Sequence, residues 1–257
     1  MVRRLPQIVA FGGGGFSMEA GNPLLDDYVL ELAREGCSGP RPRVCFLPTA
    51  SGDADHYVCR FYRHFPASVV ESSHVSLFRR EQGVHPELSD LREHLLRQDL
   101  IYVGGGSVIS ALGVWRAHGV DAMLRQAWEQ GVVLCGPSAG SLCWFEEGVT
   151  AFHGPATTVR GLGLLPWSNC VHYGGEPVRR LEYHRALAAG VCPGYACEDG
   201  VALHFVGQEL AHVVGSRPHA RAYRVETKSD GAVVETVLKT RYLGTAAVGA
   251  SDRALAA

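Results

Sequence analysis

The residues Val132-Val133-Leu134-Cys135 run directly into Gly136-Pro137-Ser138-Ala139-Gly140-Ser141. An apolar run of strand length that ends in G-x-S-x-G is the sequence form of a tight strand-to-helix turn. Such a turn pushes one serine hydroxyl out at the carboxyl end of a sheet. Glycine at 136 and 140 keeps side chains out of so sharp a bend. A helical segment is expected to follow, and its free backbone N–H groups would favour negative charge developing beside Ser138. A serine hydroxyl is a weak nucleophile at neutral pH and needs a base within hydrogen-bond reach. Imidazole suits the task, with an unperturbed pKa of about 6.5. Of the twelve histidines, His172 is the best placed, because it follows an apolar strand-like piece and precedes Gly174-Gly175. His153, His184 and His204 are weaker rivals. His204 sits between apolar Leu203 and Phe205 in the manner of a strand-face residue.

These residues need a scaffold that brings distant loops together. For the first 150 residues, strand-like and helix-like segments alternate. Strands are expected at Gln7–Phe11, Val44–Leu47, Val69–Leu77 and Leu100–Val103, ahead of the strand that carries Ser138. Helices are expected from Asn22-Pro23 onward (Asn22 as N-cap, Pro23 as first helical residue), over Asp53–Phe65, Pro86–Arg97, Ser110–His118 and Asp121–Gln130. This alternation predicts a mostly parallel sheet with helices on both faces, an α/β fold of three layers. In such a sheet the strand ends share one edge, where sites form. Three glycine-rich loops, 12–15, 104–106 and 136–140, are therefore expected to meet in one crevice.

After about residue 150 the pattern changes. Leu162–Pro166 and Cys170–Tyr173 are short apolar pieces, and Glu176–Ala188 reads as a helix. The runs near Val201–Val206, Leu210–Val214, Ala222–Val225 and Val233–Val237 read as hairpin strands, an antiparallel C-terminal extension. One domain spanning 1–257 is expected, with a fraying tail from about 246.

Composition narrows the function classes. The chain has 257 residues, 46% hydrophobic and 19% charged, enough to build a sizeable core. Its net charge of −2 shows no basic stripe, so nucleic acid is not an expected partner. No run approaches the roughly 18 apolar residues of a membrane span, and no signal region follows Met1. Eight cysteines are scattered without a C-x-x-C pair, which reads as buried thiols in a reducing cytoplasm. Neither H-E-x-x-H nor clustered Cys/His spacing is present, so no metal is expected. Gly12–Gly15 and Gly104–Gly106 match neither the P-loop nor the dinucleotide fingerprint, so no nucleotide or other cofactor is expected.

The chain resembles a known family through Gly136-Pro137-Ser138-Ala139-Gly140-Ser141, Gly104-Gly105-Gly106, Val171-His172-Tyr173, Pro48-Thr49-Ala50-Ser51 and Gly21-Asn22-Pro23-Leu24-Leu25-Asp26. Together these are similar to the peptidase E family, the aspartyl dipeptidases and cyanophycinases, on a class I glutamine amidotransferase-like fold. The resemblance runs from about residue 7 to 237. It implies a serine peptidase that removes an N-terminal aspartate from short peptides without metal or cofactor. It implies Ser138 as nucleophile and His172 as base. The backbone N–H groups of Gly105 or Gly106 and of Ala139 would form the oxyanion hole. Arginines are the natural clamp for an acidic substrate, and Arg179 and Arg180 lie just past His172. Ser107 and Glu176 complete the expected substrate contacts. The expected partner is a small peptide or amide, and the sequence leaves room for a homodimer.

The chain departs from the family pattern in one respect that bears on catalysis. The family's acidic member usually lies between the serine and the histidine, yet Gly148 to His172 contains no Asp or Glu. The expected position is occupied by Ala151, and Pro137 stands before the serine where an ordinary side chain is usual. A histidine without an acid loses tautomer control, worth about 10⁴-fold in the reference triad. Glu198, Asp199 and Glu147 are the candidate replacements; Glu146 and Glu176 are further ones. The alternatives are a dyad, or a scaffold repurposed for another acyl transfer or for binding alone. A cysteine-dependent glutamine amidotransferase is the weaker alternative, since Cys135 and Cys143 flank the turn without occupying it.

Overall fold

Strand β1 (Gln7–Phe11) is the axis on which the molecule is assembled. The computed structural model describes residues 4–78, 88–175 and 177–245; the expected tail from 246 and Glu176 lie outside them. After β1 come α1 (Leu24–Gly36), β2 (Arg43–Leu47), α2 (Asp55–His64), β3 (Glu71–His74), α3 (Leu88–Leu96) and β4 (Leu100–Val103). These are followed by α4 (Val108–His118), α5 (Val120–Glu129), β5 (Val133–Pro137), α6 (Ala139–Leu142), β6 (Phe145–Thr150), β7 (Thr157–Arg160) and β8 (Leu165–Cys170). The last third holds α7 (Pro177–Ala188), β9 (Gly194–Cys197), β10 (Val201–Val206), β11 (Glu209–Gly215), β12 (Ala222–Thr227), β13 (Val233–Leu238) and β14 (Arg241–Tyr242).

The first sheet has the order β14-β11-β10-β1-β5-β4-β2-β3. The five strands from β1 to β3 are parallel, and β10 pairs antiparallel with β1. Side chains of β1 alternate between two cores, as the period of a strand requires. Val9 and Phe11 face α1 and α2 through Val29, Tyr57 and Phe61. Ile8 and Ala10 face α3, α4 and α5 through Leu95, Trp115 and Leu124. This is the expected three-layer α/β arrangement. Both faces are covered, which is why β5 is apolar without a break (Val133 to Cys135) and wholly buried.

The C-terminal strands differ from a single extension. The β10–β11 hairpin joins the first sheet, with the short β14 pairing parallel to β11 at its edge. The β12–β13 hairpin belongs to a second sheet of order β13-β12-β9-β8-β6-β7. Phe145, Leu165 and Tyr195 of that sheet pack into the core shared with Leu203 and Phe205, and α7 closes its other face through Tyr183 and Leu187. The two apolar pieces after residue 160 overlap only the two ends of β8, and Val69–Leu77 contracts to β3.

Two further expectations need correction. The helix after Ser138 is one turn long and gives way to β6, because Leu142 and Phe145 are drawn into the core. Asn22 does not cap α1; its Nδ2 donates instead to the Ser216 carbonyl at 3.1 Å, tying the helix entrance to the end of β11.

Candidate active site

Strand β5 delivers Ser138 to the carboxyl edge of the sheet. Its backbone sits at φ 55°, ψ −113°, a conformation that costs a non-glycine residue about 1–3 kcal/mol. The turn is held from both sides. Ser138 N–H donates to the Phe11 carbonyl at 3.3 Å, and the Ser138 carbonyl accepts from Ser141 and Leu142, both at 2.9 Å. Strand β4 passes so close that a Cβ on Gly140 would lie 2.1 Å from the Val103 carbonyl oxygen. Asn169 Nδ2 donates to Ser141 Oγ at 2.8 Å and braces the turn from β8.

His172 follows β8 and also has left-handed backbone, φ 57°. Its N–H donates to the Gly12 carbonyl at 3.1 Å, and the next N–H, of Tyr173, to the Cys197 carbonyl at 3.0 Å. These bonds present the imidazole to Ser138, with Nε2 3.0 Å from Oγ. On the other side, Nδ1 lies 2.6 Å from Asp199 Oδ1. An ionised carboxylate only accepts, so Nδ1 carries the proton and Nε2 of the neutral ring is left to accept from the serine hydroxyl.

Of the candidate acids among the described residues, only Asp199 therefore meets the imidazole. Glu198 points away, accepting from Arg221 N–H and Tyr223 Oη, both at 2.9 Å. Glu147 lies in β6 and accepts from Cys192 N–H at 2.9 Å. Glu146 faces Arg160 at 4.0 Å. Asp199 reaches the site because β10 is antiparallel to β1: Ala202 pairs with Phe11, so the turn before β10 arrives at the edge where the parallel strands end. Gly200 N–H donates to the Gly13 carbonyl at 2.9 Å and locks that turn to the first glycine loop. A Cβ on Gly13 would stand 2.1 Å from Asp199 Oδ1 and 3.0 Å from His172 Cε1. The first glycine loop is thus the floor beneath the imidazole–carboxylate pair.

Gly105 and Gly106 lie across from Ser138, an added Cβ on Gly105 being 3.6 Å from Ser138 Cβ. All three glycine loops thus meet at one place, as their spacing predicts. The Gly105 N–H donates to Tyr57 Oη at 3.1 Å and is engaged. Among the described residues, the N–H groups of Gly106 and Ala139 donate to no loop or side-chain acceptor. Two chambers open on the Ser138 hydroxyl. The smaller, of about 150 Å³, includes Gly106, Ala139, Thr150 and Arg179 in its wall. Arg179 is buried, with 7% of its surface exposed. The wider chamber, of about 350 Å³, includes Met18, Tyr57, Arg60, Pro137 and Phe152.

Of the remaining expected substrate contacts, Ser107 and Arg180 line neither chamber. Ser107 caps α4, accepting from Ser110 N–H at 3.1 Å, and meets His153 Nε2 at 2.6 Å. Arg180 pairs with Glu235 at 3.2 Å and stacks over the Tyr173 ring, 5.0 Å from its centroid. The rival histidines are also committed: His184 meets Glu235 at 2.7 Å, and His204 lies between Tyr28 Oη at 2.7 Å and Gln7 Oε1 at 2.8 Å. Burial pushes His204 down to about 4, helped by His212 and Arg4. The thiols of Cys135 and Cys143, which flank the turn, are buried, and desolvation raises both well above the usual range. Among the described residues, no group of three or more His, Cys, Asp or Glu side chains is arranged to hold a metal ion. No described helix is long and apolar enough to cross a membrane.

An α/β sheet with a strained serine turn at its edge, an imidazole against the hydroxyl and a carboxylate against the imidazole is the architecture of a hydrolase. Residues 8–213 match the model of peptidase family S51, and the chain belongs to that family, a family of peptidases. It is 46% identical over 241 residues to the uncharacterized peptidase YgaJ of Bacillus subtilis (strain 168), covering 93% of this chain and 100% of that protein. Its fold is similar to the crystal structure of a peptidase from an acI-B1 Actinobacterium, with a TM-score of 0.70 at 17% identity, covering 93% and 96% of the two chains. A solved structure from Listeria monocytogenes EGD-e, named for peptidase E, superposes with a TM-score of 0.55 at 17% identity over 80% of this chain and 97% of its own.

Proposed function

We propose that the chain is a serine-type peptidase that cleaves a short peptide after an N-terminal acidic residue. The observation that carries this reading is the unbroken contact from Asp199 through His172 to Ser138, at 2.6 and 3.0 Å. Asp199 fixes the imidazole tautomer and stabilises the imidazolium. His172 Nε2 takes the Ser138 proton as Oγ bonds to the carbonyl carbon, and the carbonyl electron pair moves onto oxygen. The N–H groups of Gly106 and Ala139 receive that oxyanion. When the intermediate collapses, the C–N bond breaks and His172 Nε2–H gives its proton to the leaving amine. Water then hydrolyses the Ser138 ester with His172 again as base.

The small chamber takes the acyl residue. Its volume of about 150 Å³ suits a short side chain, and Arg179 in its wall suits a carboxylate. A carboxylate against His172 favours a working triad over the alternative of a silent scaffold. Buried thiols such as Cys45, Cys143 and Cys197 support a reducing, cytoplasmic setting.

The test is labelling by a fluorophosphonate probe together with hydrolysis of aspartyl dipeptides. Labelling that disappears in Ser138→Ala, with hydrolysis, is the expected result. Hydrolysis that persists in Ser138→Ala overturns the reading.

A further inference from the structure

The wider chamber carries a signature of its own. Met18 and Phe152 line it, Phe152 also bordering the smaller chamber, and both are large apolar side chains left open to water, 49% and 60% exposed. Tyr57 and Pro137 continue the apolar wall. Beside this wall stand two basic side chains, His56 and Arg60, one helical turn apart on α2. Arg60 is held in place by donating from Nη1 to the Ser17 carbonyl at 2.7 Å. Among the described residues no other hydrogen bond from this guanidinium is seen, and neither Arg60 nor His56 has a carboxylate partner. A fixed cation with no counter-ion among the described residues, next to exposed apolar surface and opening on a serine, fits a ligand with an apolar body and an anionic end.

The two chambers also differ in how they meet the oxyanion donors. Ala139 lines only the smaller one, while Gly106 lines both. With the acyl residue in the smaller chamber beside Ala139 and Arg179, as proposed above, the wider chamber is the space left beside Ser138 for the leaving residue. Resting on the peptidase reading above, we propose that the wider chamber is the site for the leaving residue of a dipeptide. It accepts a large apolar side chain against Met18, Tyr57 and Phe152, and reads the free terminal α-carboxylate with Arg60 and His56. The substrate class is then an acidic residue followed by a bulky apolar residue with a free carboxyl end. One residue spans only about 3.3–3.6 Å of extended chain, so longer peptides would carry their carboxylate past Arg60.

The experiment compares aspartyl-leucine with aspartyl-leucinamide in the unsubstituted protein, in Arg60→Gln and in Phe152→Ala. The free acid is expected to be the better substrate by about tenfold or more, mostly through KM, in line with a charge-assisted hydrogen bond. In Arg60→Gln that acid-to-amide ratio of kcat/KM falls at least tenfold, and Arg60→Lys recovers part of it. In Phe152→Ala the preference for aspartyl-leucine over aspartyl-glycine falls by about tenfold. Equal cleavage of acid and amide by the unsubstituted protein overturns the proposal, as does a ratio that Arg60→Gln leaves unchanged. Aspartyl-glutamate α-amide tests the other source of a carboxylate; if it is cleaved as well as aspartyl-leucine, the α-carboxylate assignment falls. Each of these results is read in protein whose Ser138 labels with the fluorophosphonate. Absence of both labelling and cleavage refutes the peptidase reading instead.

Discussion

Replacing Asp199 by Asn keeps the shape of the site and removes one charge. The magnitude follows from the geometry. Asp199 Oδ1 lies 2.6 Å from His172 Nδ1, which sets the centres of carboxylate charge and imidazolium charge about 4 Å apart. Coulomb's law at an effective dielectric of about 20 gives about 4 kcal/mol for such a pair. That attraction exists only once His172 holds the Ser138 proton, so its loss raises the barrier, at 1.36 kcal/mol per factor of ten, by about 10³-fold. Asn also offers an N–H to Nδ1, which favours the wrong tautomer and takes the loss towards the 10⁴-fold of the reference triad. Steady-state hydrolysis of an aspartyl dipeptide measures it: kcat should fall about 10³- to 10⁴-fold while KM moves little. Glu198→Gln is the control, because Glu198 faces Tyr223 and Arg221, and it should change kcat less than about threefold. If Asp199→Asn stays within tenfold of the parent, the imidazole does not work through this carboxylate.

Gly13→Ala should reproduce much of that loss by steric means, lowering kcat about 10²-fold, since its Cβ would stand 2.1 Å from Asp199 Oδ1. Circular dichroism melting should then show a change in stability under about 1 kcal/mol, because the struck atom ends a movable side chain. Gly140→Ala meets rigid backbone instead, 2.1 Å from the Val103 oxygen. It should cost about 3 kcal/mol and lower Tm by about 6–12 °C. His204 is held at about 4 against 6.5 when exposed, so the unfolded chain takes up a proton below pH 6.5 that the native chain refuses. Stability should fall as pH drops from about 6.5 to 4, by up to about 3 kcal/mol. Urea titrations of the parent and His204→Gln at pH 7.5 and 4.5 should differ by that amount. Among the described cysteines, Cys59 is the exposed thiol. A disulfide reagent should modify it first, and Cys45, whose thiol burial pushes up to about 12, only on unfolding.

The serine turn was legible because all it requires is local: an apolar strand, two glycines and a sharp bend within ten residues. The three-layer fold was legible for a similar reason, since β–α alternation is written in short-range periodicity. His172 could be singled out by its strand and its glycines. Asp199 could be named only as one of several carboxylates, because what selects it is the pairing of β10 against β1, a contact across almost the whole chain. Its one sequence signal was Asp199-Gly200 directly before an apolar strand, a turn whose edge of arrival depends on strand direction. The role of Gly13 was hidden likewise, for its neighbour is 186 positions on. The short α6 was misread because Leu142 and Phe145 suit a helix face as well as a core strand. Arg60 gave no signal, since one arginine on an amphipathic helix looks like any solvated face residue.

The placement of Asp199 at the mouth of β10 sets a condition on when the protein can begin to work. Strand β1 is made long before its antiparallel neighbour, which starts at Val201. A chain still growing on the ribosome can close the parallel half of the sheet and form the serine bend, yet its imidazole has no acid until the late hairpin zips onto β1. On the proposed mechanism, newly made copies are expected to be about 10³- to 10⁴-fold less active towards surrounding peptides until β10 has paired with β1. A truncation ahead of residue 199 should yield a scaffold in which the hydroxyl is present and idle.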